Sequence, residues 1–314
     1  MRQLAWALTA LLGIALAGCP APRPSAAPEQ ENPQPGAAVP DSRPLVFTTF
    51  TVLADMARQV AGDQLQVESI TRLGAEIHGY EPTPSDLKRV GDAQLFLDNG
   101  LHLEAWAARF YSSIPAVPRA TLSEGIVALP IAEDKAAGKP NPHAWMSPKL
   151  AEVYVENIRR AFTRLDPAHA DHYRANAERY RAKLRALDRE LRAALAAVPP
   201  GKRVLVSCEG AFSYLAADYG LKEAYLWPVN AESQVTPQRM ARLIELVRTR
   251  RVPAVFCEST VSAETQRQVA AESGARFGGI FYVDSLSAPS GPASTLLELQ
   301  RHNIRTLVDG LKGS

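Results

Sequence analysis

Four side chains in this sequence have the chemistry of a metal site. His78 lies in EIHGYEPTP, His143 in KPNPHAWMSP, Glu209 in VSCEGAF and Asp284 in FYVDSLS. In α/β sheets, ligands collect beyond the carboxyl ends of strands, and these residues follow the β-type runs or sit in the loops between them. Neutral imidazoles supply directional nitrogen donors, and two carboxylates supply the charge that cancels a divalent cation in a buried cleft. Without the cation, two facing acids repel and favour a loosened cleft. His143 alone is ambiguous. Pro140, Pro142 and Pro148 make a rigid loop that can aim a side chain, but a lone histidine can equally cap a helix or fill a gap.

The elements that must position these residues begin near Leu45. LVFTTF reads as a strand, TVLADMARQVAG as a helix stopped at Gly62, and QVESITRL as a second strand. SDLKRVGDA reads as a helix with Ser85 as cap, QLFLDNG as a strand, and LEAWAARFYSSI as a helix. Pro148 opens a helix that ends before Asp166-Pro167. Residues 168–198 then form one helix-favouring run with no internal glycine or proline, a rod of roughly 45 Å. After Pro199-Pro200-Gly201 the alternation restarts: RVLVSCE, EAYLWPV, PAVFCEST and FGGIFYVDSL read as strands, with helices between them and a closing helix after them. The expected fold is α/β: two lobes with parallel sheets joined by one long rigid helix, with the site in the cleft between them. The expected boundaries are residues 45–167, 168–198 and 199–314.

The amino terminus carries a different message. Arg2 and the apolar run from Leu4 to Ala17 read as a secretion signal, residues 1–18, too short for a confident membrane span. The run closes on Leu-Ala-Gly-Cys, which resembles the bacterial lipobox, and that resemblance makes Cys19 a lipid attachment point. Residues 19–44, rich in proline and alanine, lack the apolar side chains to fold and read as a tether. The chain of 314 residues is 46% apolar, enough for proper cores, and 35 basic against 33 acidic residues give no nucleic-acid surface. Cys208 and Cys257 end two strand-like runs; in an exported protein they are either a disulfide or two buried thiols.

The stretches IHGYEPTPSDLKRVGDAQLFLDNGLHLE, NPHAWMSP, SCEGAFSYLAADYGL, VFCEST and YVDS resemble the solute-binding lipoproteins of metal-importing ABC transporters, the zinc and manganese family. The likeness covers nearly the whole chain from Leu45. It implies His78, His143, Glu209 and Asp284 as ligands, a fold of two lobes on a rigid helix, and an extracytoplasmic monomer on the cell membrane. It also implies a permease and an ATPase as partners. In that family a glutamate at the third ligand position goes with manganese and a histidine with zinc. The segment AEDKAAGKPN also lacks the histidine-rich loop of zinc importers. Both features point to Mn(II), with Zn(II) or Fe(II) as alternatives, although zinc binds most fixed nitrogen and oxygen sites more tightly.

Among the remaining residues, His102 reads as a helix-opening surface histidine, and His169, His172 and His302 as exposed helical positions. Glu258 is a candidate for orienting a ligand, and Tyr80 and Trp145 for walling the cleft. A metal hydrolase would need an open coordination position and a general base, and no HExxH or nucleophile-elbow pattern is present. An adhesin with a structural metal is the third reading.

Overall fold

The computed structural model describes residues 42–132, 137–229 and 235–312. The expected signal, Cys19 and nearly all of the tether lie outside these described residues. Strands β1 (Leu45–Thr48), β2 (Gln66–Ser69), β3 (Leu95–Asp98) and β4 (Arg119–Thr121) form one parallel sheet in the order β2-β1-β3-β4. Helices α1 (Thr51–Ala61), α2 (Pro84–Gly91) and α3 (Ala107–Ser113) belong to the same half. Gly62 ends α1 at φ 60°, a conformation glycine adopts without steric cost.

Two local expectations are corrected. The cap of α2 is Thr83, not Ser85: the Thr83 hydroxyl accepts from Asp86 N–H while the Asp86 carboxylate accepts from Thr83 N–H, with Pro84 at the first helical position. His102 opens no helix. It stands in a left-handed turn at φ 61°, next to Leu101 at φ 53°, and α3 starts only at Ala107.

Helix α4 (Pro148–Leu165) leads through a short 3₁₀ turn, Pro167–His169, into the rod α5 (Ala170–Ala196), 27 residues long. Tyr173, Ala177, Tyr180, Leu184, Leu187, Leu191 and Leu195 make a buried stripe at three- and four-residue spacing, while arginines and acids fill the opposite face. The stripe lets α5 pack on α1, α4 and α9 (Leu296–Lys312) at once.

The second half contains two parallel pairs, β5 (Val204–Glu209) with β6 (Lys222–Trp227) and β7 (Ala254–Glu258) with β8 (Arg276–Phe281). Helices α6 (Ser213–Tyr219), α7 (Pro237–Arg250) and α8 (Glu264–Ser273) connect them. A Cys208–Cys257 disulfide, with Cα atoms 4.8 Å apart, ties β5 to β7. The Gln266 amide from α8 donates to Val206 O at 3.4 Å and Phe256 O at 2.9 Å, which spans the same seam. Strand β8 stops at Phe281, short of the expected run. There the Asn303 side chain accepts from Tyr282 N–H at 2.9 Å and donates to Tyr282 O at 2.6 Å, taking the place of a neighbouring strand. Asp284 therefore falls in irregular chain beyond the sheet. One apolar core runs through both halves, and a smaller cluster around Phe47, Phe96 and Phe110 lies in the first.

Candidate metal centre

The structure brings His78, His143, Glu209 and Asp284 together, with one ligand atom from each within 4.8 Å of the others. His78 Nε2 lies 3.3 Å from Glu209 Oε1 and 3.7 Å from Asp284 Oδ2. His143 Nε2 lies 3.7 Å from Asp284 Oδ1, 4.0 Å from Glu209 Oε1 and 3.2 Å from His78 Nε2. All four are buried, at 7%, 0%, 3% and 2% exposure in sequence order.

His143 is the most firmly held. Asn141 Oδ1 accepts from His143 N–H at 3.1 Å and meets the ring Nδ1 at 3.0 Å. The Asn141 amide nitrogen donates to Gly210 O at 2.8 Å and Ser213 Oγ at 3.2 Å, so its oxygen must be the atom turned to the imidazole. An accepting oxygen on Nδ1 puts the ring proton there and leaves the Nε2 lone pair aimed into the cluster. Beneath the loop, Asn99 Nδ2 donates to Pro142 O at 3.1 Å and Tyr154 donates to Asn99 Oδ1 at 2.7 Å. Ser147 caps α4 immediately after the 3₁₀ turn Ala144–Met146.

His78 is held differently. Glu76 folds back so that its carboxylate accepts from His78 N–H at 2.6 Å and Gly79 N–H at 2.7 Å, and Trp106 Nε1 donates to Ile77 O at 2.9 Å. The backbone is fixed, yet His78 Nδ1 is buried without a hydrogen-bond partner among the described residues. Glu209 ends β5 and its N–H donates to Glu258 Oε2 at 3.3 Å, the orienting role weighed for Glu258. Asp284 is flanked by two bonds that cross to the first half: Trp145 Nε1 to Val283 O at 3.1 Å, and Gly74 N to Ser285 Oγ at 2.7 Å. Trp145 is fully buried against His143 and Phe50, whereas Tyr80 packs on Trp106 and bonds Asp86.

Burial decides the protonation. It pulls the His78 imidazolium pKa down to about 3 and, with His78 alongside, holds His143 well below its ordinary value. Both rings are therefore neutral donors at any physiological pH. Burial, and then the charge of Glu76, pushes Asp284 up to about 8; burial does the same to Glu258. Asp284 Oδ1 is also buried without a hydrogen-bond partner among the described residues. Neutral nitrogens and an acid whose negative charge has no counter-ion fit a cation, which would displace the Asp284 proton.

Sequence reasoning missed Asn141, although an asparagine two residues before a histidine in a proline-stiffened loop is a readable signal. It also misread one outlying histidine: His302 is half-buried with its ring on Ile280 O at 2.9 Å. His169 is exposed as expected and meets Asp166 at 2.7 Å just before α5.

The family described as zinc-uptake complex component A, periplasmic, matches residues 46–310. The chain belongs to that family. It is 50% identical over 265 residues to the iron-binding protein YfeA of Yersinia pestis, covering 84% of this chain and 85% of that one. It is 34% identical over 266 residues to the manganese-binding lipoprotein MntA of Halalkalibacterium halodurans, covering 85% and 88%. Mn-bound and metal-free structures of a variant periplasmic metal-binding protein from Candidatus Liberibacter asiaticus each match with a TM-score of 0.80 and 38% identity, covering 86% of this chain and 100% of theirs. This member of the zinc-uptake family is thus an extracytoplasmic substrate-binding protein of a metal ABC importer, with the two-lobed α/β fold of its relatives. The family works with a permease and an ATPase and is one of binding proteins, not enzymes.

Proposed function

We propose that the chain captures Mn(II) outside the cytoplasm with His78, His143, Glu209 and Asp284 as its ligands, and hands it to the permease. The observation that carries this reading is the convergence of those four buried donors on one point from loops and strand ends of both halves. Two nitrogens and two carboxylates offer six donor atoms when both acids bind through both oxygens, which suits manganese better than four-coordinate zinc. Fe(II) is the second reading, favoured by the 50% identity to an iron-binding relative, and its coordination demands lie close to those of manganese. The four ligands leave no open position for activating water, so the chain is a carrier without catalysis. Lipidated Cys19 would hold it to the membrane through the tether of residues 19–44. Residues 45–167 and 199–314 would act as lobes on the helical bridge of residues 168–198, with the Cys208–Cys257 bond formed in an oxidising compartment.

The test is elemental analysis of natively purified protein, with anaerobic competition among Mn(II), Fe(II) and Zn(II). Manganese is expected in the parent protein and no metal in His143→Ala or Asp284→Ala. Metal retained by both variants would remove the site assignment; a parent protein that carries only zinc would remove the manganese reading.

A further inference from the structure

The loop that leads to His78 has a second flank. Thr71, Arg72 and Leu73 line a hollow of about 590 Å³ whose other wall, Leu286, Ser287, Pro289 and Ser294, comes from the half that holds Asp284. Three arginines, Arg58, Arg72 and Arg89, border it against the single carboxylate of Glu68. Two of the three are tied down. Arg58 donates to Val67 O at 2.9 Å, and Arg89 donates to Ser69 O at 3.1 Å and pairs with Glu68 at 3.0 Å. The Arg72 side chain is exposed and makes no hydrogen bond or ion pair among the described residues; only its backbone carbonyl is engaged, accepting from Ala75 N–H at 3.2 Å. Beside it, Leu73 is 48% exposed, one of two large apolar side chains so placed among the described residues. Thr51, at the first turn of α1, adds the positive end of a helix to the same hollow.

A net positive socket with an apolar knob at its edge is complementary to a carboxylate-bearing segment with an apolar recess. The position matters as much as the charge. Gly74, next to Leu73, donates to Ser285 Oγ, and Thr51 Oγ1 accepts from Leu286 N–H at 3.0 Å. Whatever occupies the hollow bears on two of the bonds that hold the Asp284 segment to the first half.

We infer that this hollow is the docking socket for an acidic extracytoplasmic segment of the permease, with Arg72 and Leu73 as its contact residues. The inference rests on the transport reading above. Docking there strains the Gly74–Ser285 and Thr51–Leu286 bonds, so the partner that receives the cargo also loosens the carboxylate that retains it.

The experiment uses the full chain reconstituted with its permease and ATPase in proteoliposomes, with radiolabelled Mn(II). The double variant Arg72→Glu/Leu73→Asp is compared with the parent, with Arg189→Glu on the exposed face of α5, and with His143→Ala. Expected are unchanged metal content in the double variant, uptake lowered about tenfold or more, and no change for Arg189→Glu. Uptake within about twofold of the parent overturns the docking surface, as does a double variant that loses its metal. Equal losses for Arg72→Glu/Leu73→Asp and Arg189→Glu would reduce the effect to overall charge and overturn it too. Weakened binding to phosphatidylglycerol vesicles with uptake intact would reassign the socket to lipid. Metal retained by His143→Ala instead strikes the transport reading and leaves a distinct signature from any of these.

Discussion

The two imidazoles that meet at 3.2 Å are not equivalent. Asn141 fixes the tautomer of His143 before any metal arrives, whereas His78 Nδ1 has no acceptor among the described residues to hold a proton there. In the proposed site His143 would be the pre-set ligand and His78 the adaptable one. Asn141→Ala should lower metal affinity about 10- to 100-fold, the usual cost of losing a partner behind a ligating histidine. Asn141→Asp keeps an acceptor for Nδ1–H and should lose less, which a competitive chelator titration of both variants would check. The four donors could be read from the sequence because they stand at loop and strand-end positions with polar chemistry. The proton on each ring could not, since it depends on which atom of Asn141 faces the imidazole, and that is decided by Gly210 and Ser213 some seventy residues on.

Among the elements, α5 was legible because its apolar stripe and its lack of glycine or proline announce a long amphipathic helix. Strand β4 was not. Its three residues, Arg-Ala-Thr, carry no apolar alternation and are strand only because β3 offers them an edge at Phe96, Leu97 and Asp98. The seam between β5 and β7 was half-legible: the two cysteines mark neighbouring strands, but the Gln266 amide that spans them comes from α8 and has no local signature. The rod supports both halves through side chains such as Leu187, fully buried at its middle. Leu187→Ala should destabilise the fold by about 2–5 kcal/mol. Metal content of the folded variant should be unchanged, since none of the four donors stands on α5, and calorimetric unfolding with elemental analysis would separate the two effects.

For the whole molecule, the buried acids and imidazoles set opposing trends with pH. A carboxyl raised to about 8 keeps a proton that the unfolded chain gives up near 4, so Asp284 and Glu258 favour the folded state less as pH rises toward 8. Neutral His78, held down to about 3, costs stability as pH falls below its ordinary 6.5, because only the unfolded chain can then take the proton. Between about pH 4.5 and 6.5 the two trends offset each other; above 6.5 only the acids act. Metal-stripped protein should therefore lose thermal stability from about pH 6.5 to 8. The metal-loaded protein should lose less, because a cation held by Asp284 would replace its proton. Scanning calorimetry of both forms across that range would check it, and a metal-free melting temperature that rises with pH would contradict it. The division into halves was visible in the sequence as two bouts of strand–helix alternation. The bonds that fasten the halves around the site, such as Trp145 to Val283 O, connect residues more than a hundred positions apart and have no local trace.

Solvent barely reaches the four donors, the most exposed of which is His78 at 7%. A cation seated there cannot exchange ligands with water one at a time; a wall must first part. Its residence time is then governed by how often the protein breathes open, and cations of quite different affinity would escape at a common, slow frequency, a property that guards the cargo against loss before delivery.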